Sequence, residues 1–181
     1  TGRSQARRYL EGLGPVLSGA TEARAERVVP YLTLRNRTGD PAPRDFYGEA
    51  RAPLEAGECV ISERSLDMLS PVAEAAPFYI PEEILRLDAV RPRPRAELLD
   101  ALQAGAEGRG PVLYTHGFFI DFDKGCRRAA VLQESADLEG RFLWFSWPSD
   151  GGLLNYTHDE ADLYWSVLDL AEVLVDLERR F

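Results

Sequence analysis

Apolar positions along this chain fall into short dense runs in its first two thirds and into three-and-four spacing toward its end. Val28-Val-Pro-Tyr-Leu-Thr-Leu34 is β-branched and aromatic, which predicts a first strand, and Pro30 points to an edge position because proline cannot donate to a ladder. Gly57-Glu-Cys-Val-Ile-Ser62 predicts a second short strand, and Ile84 to Val90 alternates as a half-buried strand does, although Pro81-Glu-Glu could equally open a helix there. Between them, Asn36 to Tyr47 carries the turn chemistry of Gly39-Asp-Pro41 and Pro43, and residues 64–81 are broken by Pro71, Pro77 and Pro81. Arg91-Pro-Arg-Pro-Arg95 reads as a stiff extended linker. After it, Ala96, Leu98, Leu99, Leu102 and Ala106 share one face of a helix that Gly105 to Gly110 terminates.

The centre of the pattern is Pro111 to Ile120. Val112, Leu113 and Tyr114 form an apolar run suited to a strand buried on both faces, and it ends at His116-Gly117, where glycine supplies freedom for a sharp exit. Asp121 or Asp123 can cap a following helix in which Phe122, Cys126, Ala129, Ala130 and Gln133 share a face. Gly140 ends that crossover, Arg141 to Ser146 is the next strand, and Trp147 to Gly152 is its exit loop. Both exit loops then lie beyond the carboxyl ends of strands, where open α/β sheets bind ligands. A last helix is predicted from about Asp159 to Arg180, with Leu163, Val167, Leu170, Leu174, Leu177 and Phe181 along a seam. That seam fits packing on a sheet face; the same spacing opens a coiled coil, but it is too short to sustain one. The predicted class is therefore α/β, a mostly parallel sheet with helices on both faces, preceded by a lead-in segment at 1–25 that contains a short helix around Gln5 to Leu10.

A formal charge of -9 and the lack of a basic face exclude nucleic acid as a partner, because phosphate binding needs clustered cations. No run is long and apolar enough for a membrane span, and no signal-peptide core is visible, which together favour a cytoplasmic setting. Cys59 and Cys126 show neither metal-ligand spacing nor a disulfide framework and are expected to be buried free thiols. The patterns Asn36-Arg-Thr38 and Asn155-Tyr-Thr157 match a glycosylation site but carry little without a secretion signal. Thr1 is not expected to act as a terminal nucleophile beside Gly2, Arg3 and Ser4.

Candidate chemistry is sparse. His116 lies near Asp121 and Asp123 in sequence, but adjacency does not make a metal site or a dyad, and no metal is expected. His158-Asp159 reads as exposed helix-start chemistry. Gly-x-Ser-x-Gly, Gly-x-Gly-x-x-Gly and the Gly-x-x-x-x-Gly-Lys phosphate loop are all absent between Thr1 and Phe181, so no nucleotide cofactor is expected.

His116-Gly117-Phe118, Phe122, Ala129-Ala130, Phe145-Ser-Trp-Pro-Ser-Asp150, Tyr156 and Asp159, with Arg35, Phe46-Tyr-Gly48 and Gly57-x-Cys59-Val60 upstream, resemble an uncharacterised bacterial family of α/β-hydrolases. The resemblance covers roughly residues 28–181. It implies the N-terminal half of a hydrolase domain over 26–181, lacking the C-terminal strands, within a sheet of strand order 1-2-4-3-5-6-7-8. In such enzymes the loop after the third strand donates a backbone N–H to the oxyanion hole, which maps to Phe118, with Gly117 shaping the loop and His116 supporting it. Phe119, Trp147, Ser149 and Tyr156 are then candidates to face an ester or acyl substrate. Phe119 departs from the asparagine often found there. The nucleophile, acid and base are expected C-terminal to Phe181, leaving this chain inactive alone, and Val112–Thr115 is expected to be an edge that another chain or segment covers. The alternative is a non-catalytic binding or assembly module on a truncated hydrolase scaffold.

Overall fold

The computed structural model describes residues 26–63, 84–149 and 156–181, the side chains of 156–161 excepted. The predicted lead-in helix and the irregular stretch 64–81 lie outside the described residues. Eight elements run β1 (Arg27–Arg37), β2 (Tyr47–Glu63), β3 (Leu85–Pro92), α1 (Arg95–Gly105), β4 (Val112–Thr115), α2 (Phe122–Ser135), β5 (Phe142–Ser146) and α3 (Tyr156–Arg180), with a short 3₁₀ turn at Pro43–Asp45.

The described strands form one five-stranded sheet in the order β3-β2-β1-β5-β4. β1 pairs antiparallel with β2, and β2 with β3, whereas β5 runs parallel to both β1 and β4. The sheet is thus mixed and not mostly parallel, because β1, β2 and β3 are joined as a meander and only the segments separated by α1 and α2 cross over in parallel. The edge reading of β1 is also corrected: it is the central strand, flanked by β2 and β5. Pro30 is tolerated there opposite Glu58, where β1 extends past its short parallel pairing with β5, which covers only Tyr31 to Thr33. This placement also departs from the 1-2-4-3 order, since the first strand and not the second lies beside the strand after α2. β2 is longer than its apolar core suggests, running back to Tyr47.

Alternation along the strands sorts the core into two layers. Val29, Tyr31, Cys59, Ile61, Phe142 and Trp144 face α2, meeting Phe122, Cys126, Ala129 and Ala130. Leu32, Leu34, Ala56, Leu143 and Phe145 face the other way, onto Leu98, Leu99 and Leu102 of α1 and Val173 and Leu177 of α3. Ala96, placed on that buried helix face by periodicity, is exposed. The predicted face of α2 is buried in full, with Asp121 as its cap: the carboxylate accepts from the amide of Lys124 at 2.7 Å. Gly125 lets this helix lie close on the sheet, since a Cβ there would run into the ring of Trp144.

Cys59 and Cys126 are not free thiols. They form a disulfide between β2 and α2, with Cα atoms 6.1 Å apart. The 67-residue separation hides a pairing that only the packing of α2 on the sheet creates.

α3 divides its seam. Leu163, Leu170, Val173 and Leu177 turn to the sheet, while Tyr164, Trp165, Val167, Leu168, Leu174, Val175 and Phe181 are exposed. The helix is therefore apolar on two sides. No helix among the described residues is long and apolar enough to cross a membrane.

Candidate functional site

The carboxyl ends of β1, β4 and β5 point the same way, and the start of β2 joins them because Arg37 pairs with Tyr47. Three segments meet at this end: the 116–121 loop after β4, residues 147–149 after β5, and the last turns of β1. What joins them is Arg35, which is 1 % exposed. Its Nε donates to Ser146 Oγ at 3.0 Å, Nη1 to the carbonyls of Gly48 at 3.2 Å and Ser149 at 3.1 Å, and Nη2 to the carbonyl of Ile120 at 2.6 Å. A buried guanidinium is tolerable only when its donors are met, and its rigid fork meets four acceptors on three segments at once. Thr33 adds a bond of 3.1 Å from its hydroxyl to the carbonyl of Ser146.

A second brace holds the start of the loop. Trp147 Nε1 donates to the carbonyl of His116 at 2.9 Å, and His116 Nε2 lies 3.1 Å from the carbonyl of Trp147. The two rings stack with centroids 5.1 Å apart and planes 13° from parallel. His116 Nδ1 lies 2.8 Å from the Gly117 carbonyl. Burial first, and then the nearby charge of Arg35, push the imidazole pKa down to about 3, against the pull of the two carbonyls. A neutral ring carries one N–H, so it donates to one of these carbonyls at a time. Both nitrogens face backbone, which leaves neither aimed at a reacting group.

The loop is consequently anchored at both ends, by His116 and Ile120, which are buried. Between them Gly117 is exposed, and Phe118 and Phe119 are half-buried. Phe118 packs edge-on against Trp147 at 5.4 Å and joins the α1/α3 layer of the core. Phe119 has φ 61°, the left-handed region that phenylalanine rarely occupies. Gly117, by contrast, is not among the glycines with positive φ, and a Cβ added to it would meet nothing within 4 Å among the described residues. The reversal placed at Gly117 from sequence is thus carried by Phe119, and Gly117 leaves open space.

Of the residues expected to face a substrate, Trp147 and Ser149 are buried at 2 % and 0 %. Phe119 is half-buried on the loop itself, and the side chain of Tyr156 lies outside the described residues, as do those of His158 and Asp159. Ser146 is engaged by Arg35, and Ser166 is bonded within α3 to the Asp162 carbonyl. No serine and histidine pair with nucleophile geometry occurs among the described residues. Nor does any group of three or more His, Cys, Asp or Glu that could hold a metal.

An open cleft of about 450 Å³ sits at the same end, bounded by Arg35, Tyr47, Asp40, Asp45, Asp121 and Phe122. Its walls are mainly charged, and Gly117, Phe118 and Phe119 do not line it, so it is a poor acyl pocket. Arg35 is the residue sequence reasoning undervalued. It stood in the recognised pattern, but one arginine among many carries no signal of being buried.

Residues 94–180 match a family model described as alpha/beta hydrolase of unknown function (DUF900). Neither curated proteins nor solved structures yield a match.

Proposed function

We propose that, with residues 94–180 an alpha/beta hydrolase domain segment, the 116–120 loop is the oxyanion-hole loop of a serine hydrolase acting on carboxylic esters or related acyl substrates. The observation that carries this reading is the double anchoring of a strand-end loop by Arg35 and by the His116–Trp147 brace. An oxyanion hole works because its donors are fixed before charge develops, so no reorganisation is needed in the transition state. A backbone donor at Phe118 needs this kind of support. His116 acts as a neutral structural ring, and Gly117, with open space beside it, gives a substrate carbonyl room to approach. Phe119 is the candidate contact to the acyl group, while Trp147 and Ser149 support from beneath.

In this proposal the nucleophile, acid and base come from polypeptide outside Thr1–Phe181, since no Gly-x-Ser-x-Gly occurs within it. The strand bearing the nucleophile would extend the sheet at β4, which stands last in the sheet order. A second reading, a non-catalytic assembly module, is favoured by the same edge together with the exposed apolar side of α3.

Labelling the protein as its cell makes it with a serine-directed fluorophosphonate, followed by peptide mapping, separates the two. A labelled serine outside residues 1–181, with hydrolysis of a p-nitrophenyl ester, is the expected result. A labelled serine inside them contradicts the assignment of roles, and no label with no turnover favours the assembly module.

A further inference from the structure

Both sulfurs of the Cys59–Cys126 disulfide lie in the layer between the sheet and α2, and both residues are 0 % exposed. Val29, Tyr31, Ile61, Phe122, Ala129 and Trp144 belong to the same packed cluster. A small thiol or an exchange protein must attack one sulfur directly, so reduction requires α2 to lift from the sheet. This bond is therefore not a surface switch. It is also placed where it counts for the site, because α2 begins at Phe122, directly after the 116–121 loop, and Cys126 is in its second turn.

Structural disulfides persist in oxidising compartments and are rare where glutathione and thioredoxin keep thiols reduced. We propose that this domain matures in an oxidising compartment, where the Cys59–Cys126 bond is made during folding and then kept as a permanent staple between β2 and α2. In that step the two thiols give up two protons and two electrons. The acceptor is the disulfide of a thiol–disulfide exchange partner, which leaves as a dithiol. This departs from the cytoplasmic setting favoured by the lack of a signal-peptide core, and it rests on the cysteine pair alone, independently of the hydrolase reading.

The test is to quench native cells with acid, alkylate the protein in denaturant, and weigh it before and after reduction, alongside cell fractionation. Two alkyl groups added only after reduction, on protein that fractionates away from cytosolic markers, is the expected result. Two free thiols in the unreduced sample, or oxidised protein tracking the cytosolic markers, would overturn the inference. Full reduction of the purified protein, verified by mass, is expected to lower its melting temperature by roughly 10 °C. A Cys59→Ala/Cys126→Ala double variant should melt at the reduced value whether or not reductant is present. An unchanged melting temperature on verified reduction would rule out the staple.

Discussion

The indole of Trp147 donates to the carbonyl of His116 while the ring of His116 lies flat on that same indole, so two exit loops of the sheet are locked by one reciprocal pair. The pair ties together the ends of β4 and β5, which are neighbours in the sheet. It also explains why His116 is neutral, since the stacked indole and the surrounding core exclude water from the imidazole.

That neutrality has a pH signature. In the unfolded chain the imidazole has its ordinary pKa near 6.5, and in the folded chain it is held down to about 3. Above pH 6.5 neither state binds the proton and the full stability is present. As pH falls between 6.5 and 3, the unfolded state binds a proton that the native state refuses, and stability is lost. Two pH units into that window the loss is on the order of 2–3 kcal/mol. Urea unfolding at a series of pH values, on the parent and on His116→Gln, measures it. The variant should be less stable at neutral pH but should show a shallower fall toward acid.

Replacing Arg35 by Met strips partners from the carbonyls of Gly48, Ile120 and Ser149 and from Ser146 Oγ in one step. The expected cost is roughly 3–5 kcal/mol by denaturant unfolding, because buried acceptors are left unmet. Arg35→Lys should fall between parent and Met, keeping the charge but losing the fork. Hydrogen exchange in Arg35→Lys should quicken at 117–121 before it does in β1. Equal protection in parent and variant would show that the loop does not depend on Arg35.

At Phe119 the usual ranking of small residues should invert. Alanine removes the ring and keeps the cost of a positive φ, whereas glycine removes both. Phe119→Gly is therefore expected to be more stable than Phe119→Ala by about 1 kcal/mol, read from paired thermal or urea melts. The opposite order would mean that the loop relaxes to ordinary φ once the ring is gone.

The α2 face and the presence of β3 and β4 were legible because each rests on a local period or a short apolar run, although β4 is half-buried and not buried on both faces. Its edge position was expected only from the resemblance, not from any local pattern. Phe122, Cys126, Ala129, Ala130 and Gln133 announce their common face by spacing alone. Partner choice in the sheet was not legible: nothing local to Val28–Leu34 says that it pairs with a strand more than a hundred residues away, and Pro30 misleads because β1 outruns its parallel neighbour. The disulfide was hidden for the same reason. At the strand ends, His116-Gly-Phe118 drew attention to the 116–121 loop, but what holds that loop is contacts between distant segments. Arg35 reaches residues 13, 85, 111 and 114 positions away, and no window along the chain contains them.

The most direct test of the oxyanion-loop assignment compares Phe118→Pro with Phe118→Ala, in the protein as its cell makes it, for turnover of the p-nitrophenyl ester that the proposed function calls for. Both lose the ring that packs on Trp147, but only proline also loses the backbone N–H. With circular dichroism and melting temperature confirming that both fold, kcat for the proline variant should fall ~10²–10³ below that of the alanine variant. Equal kcat values in the two folded variants would contradict the assignment of Phe118 as an oxyanion donor.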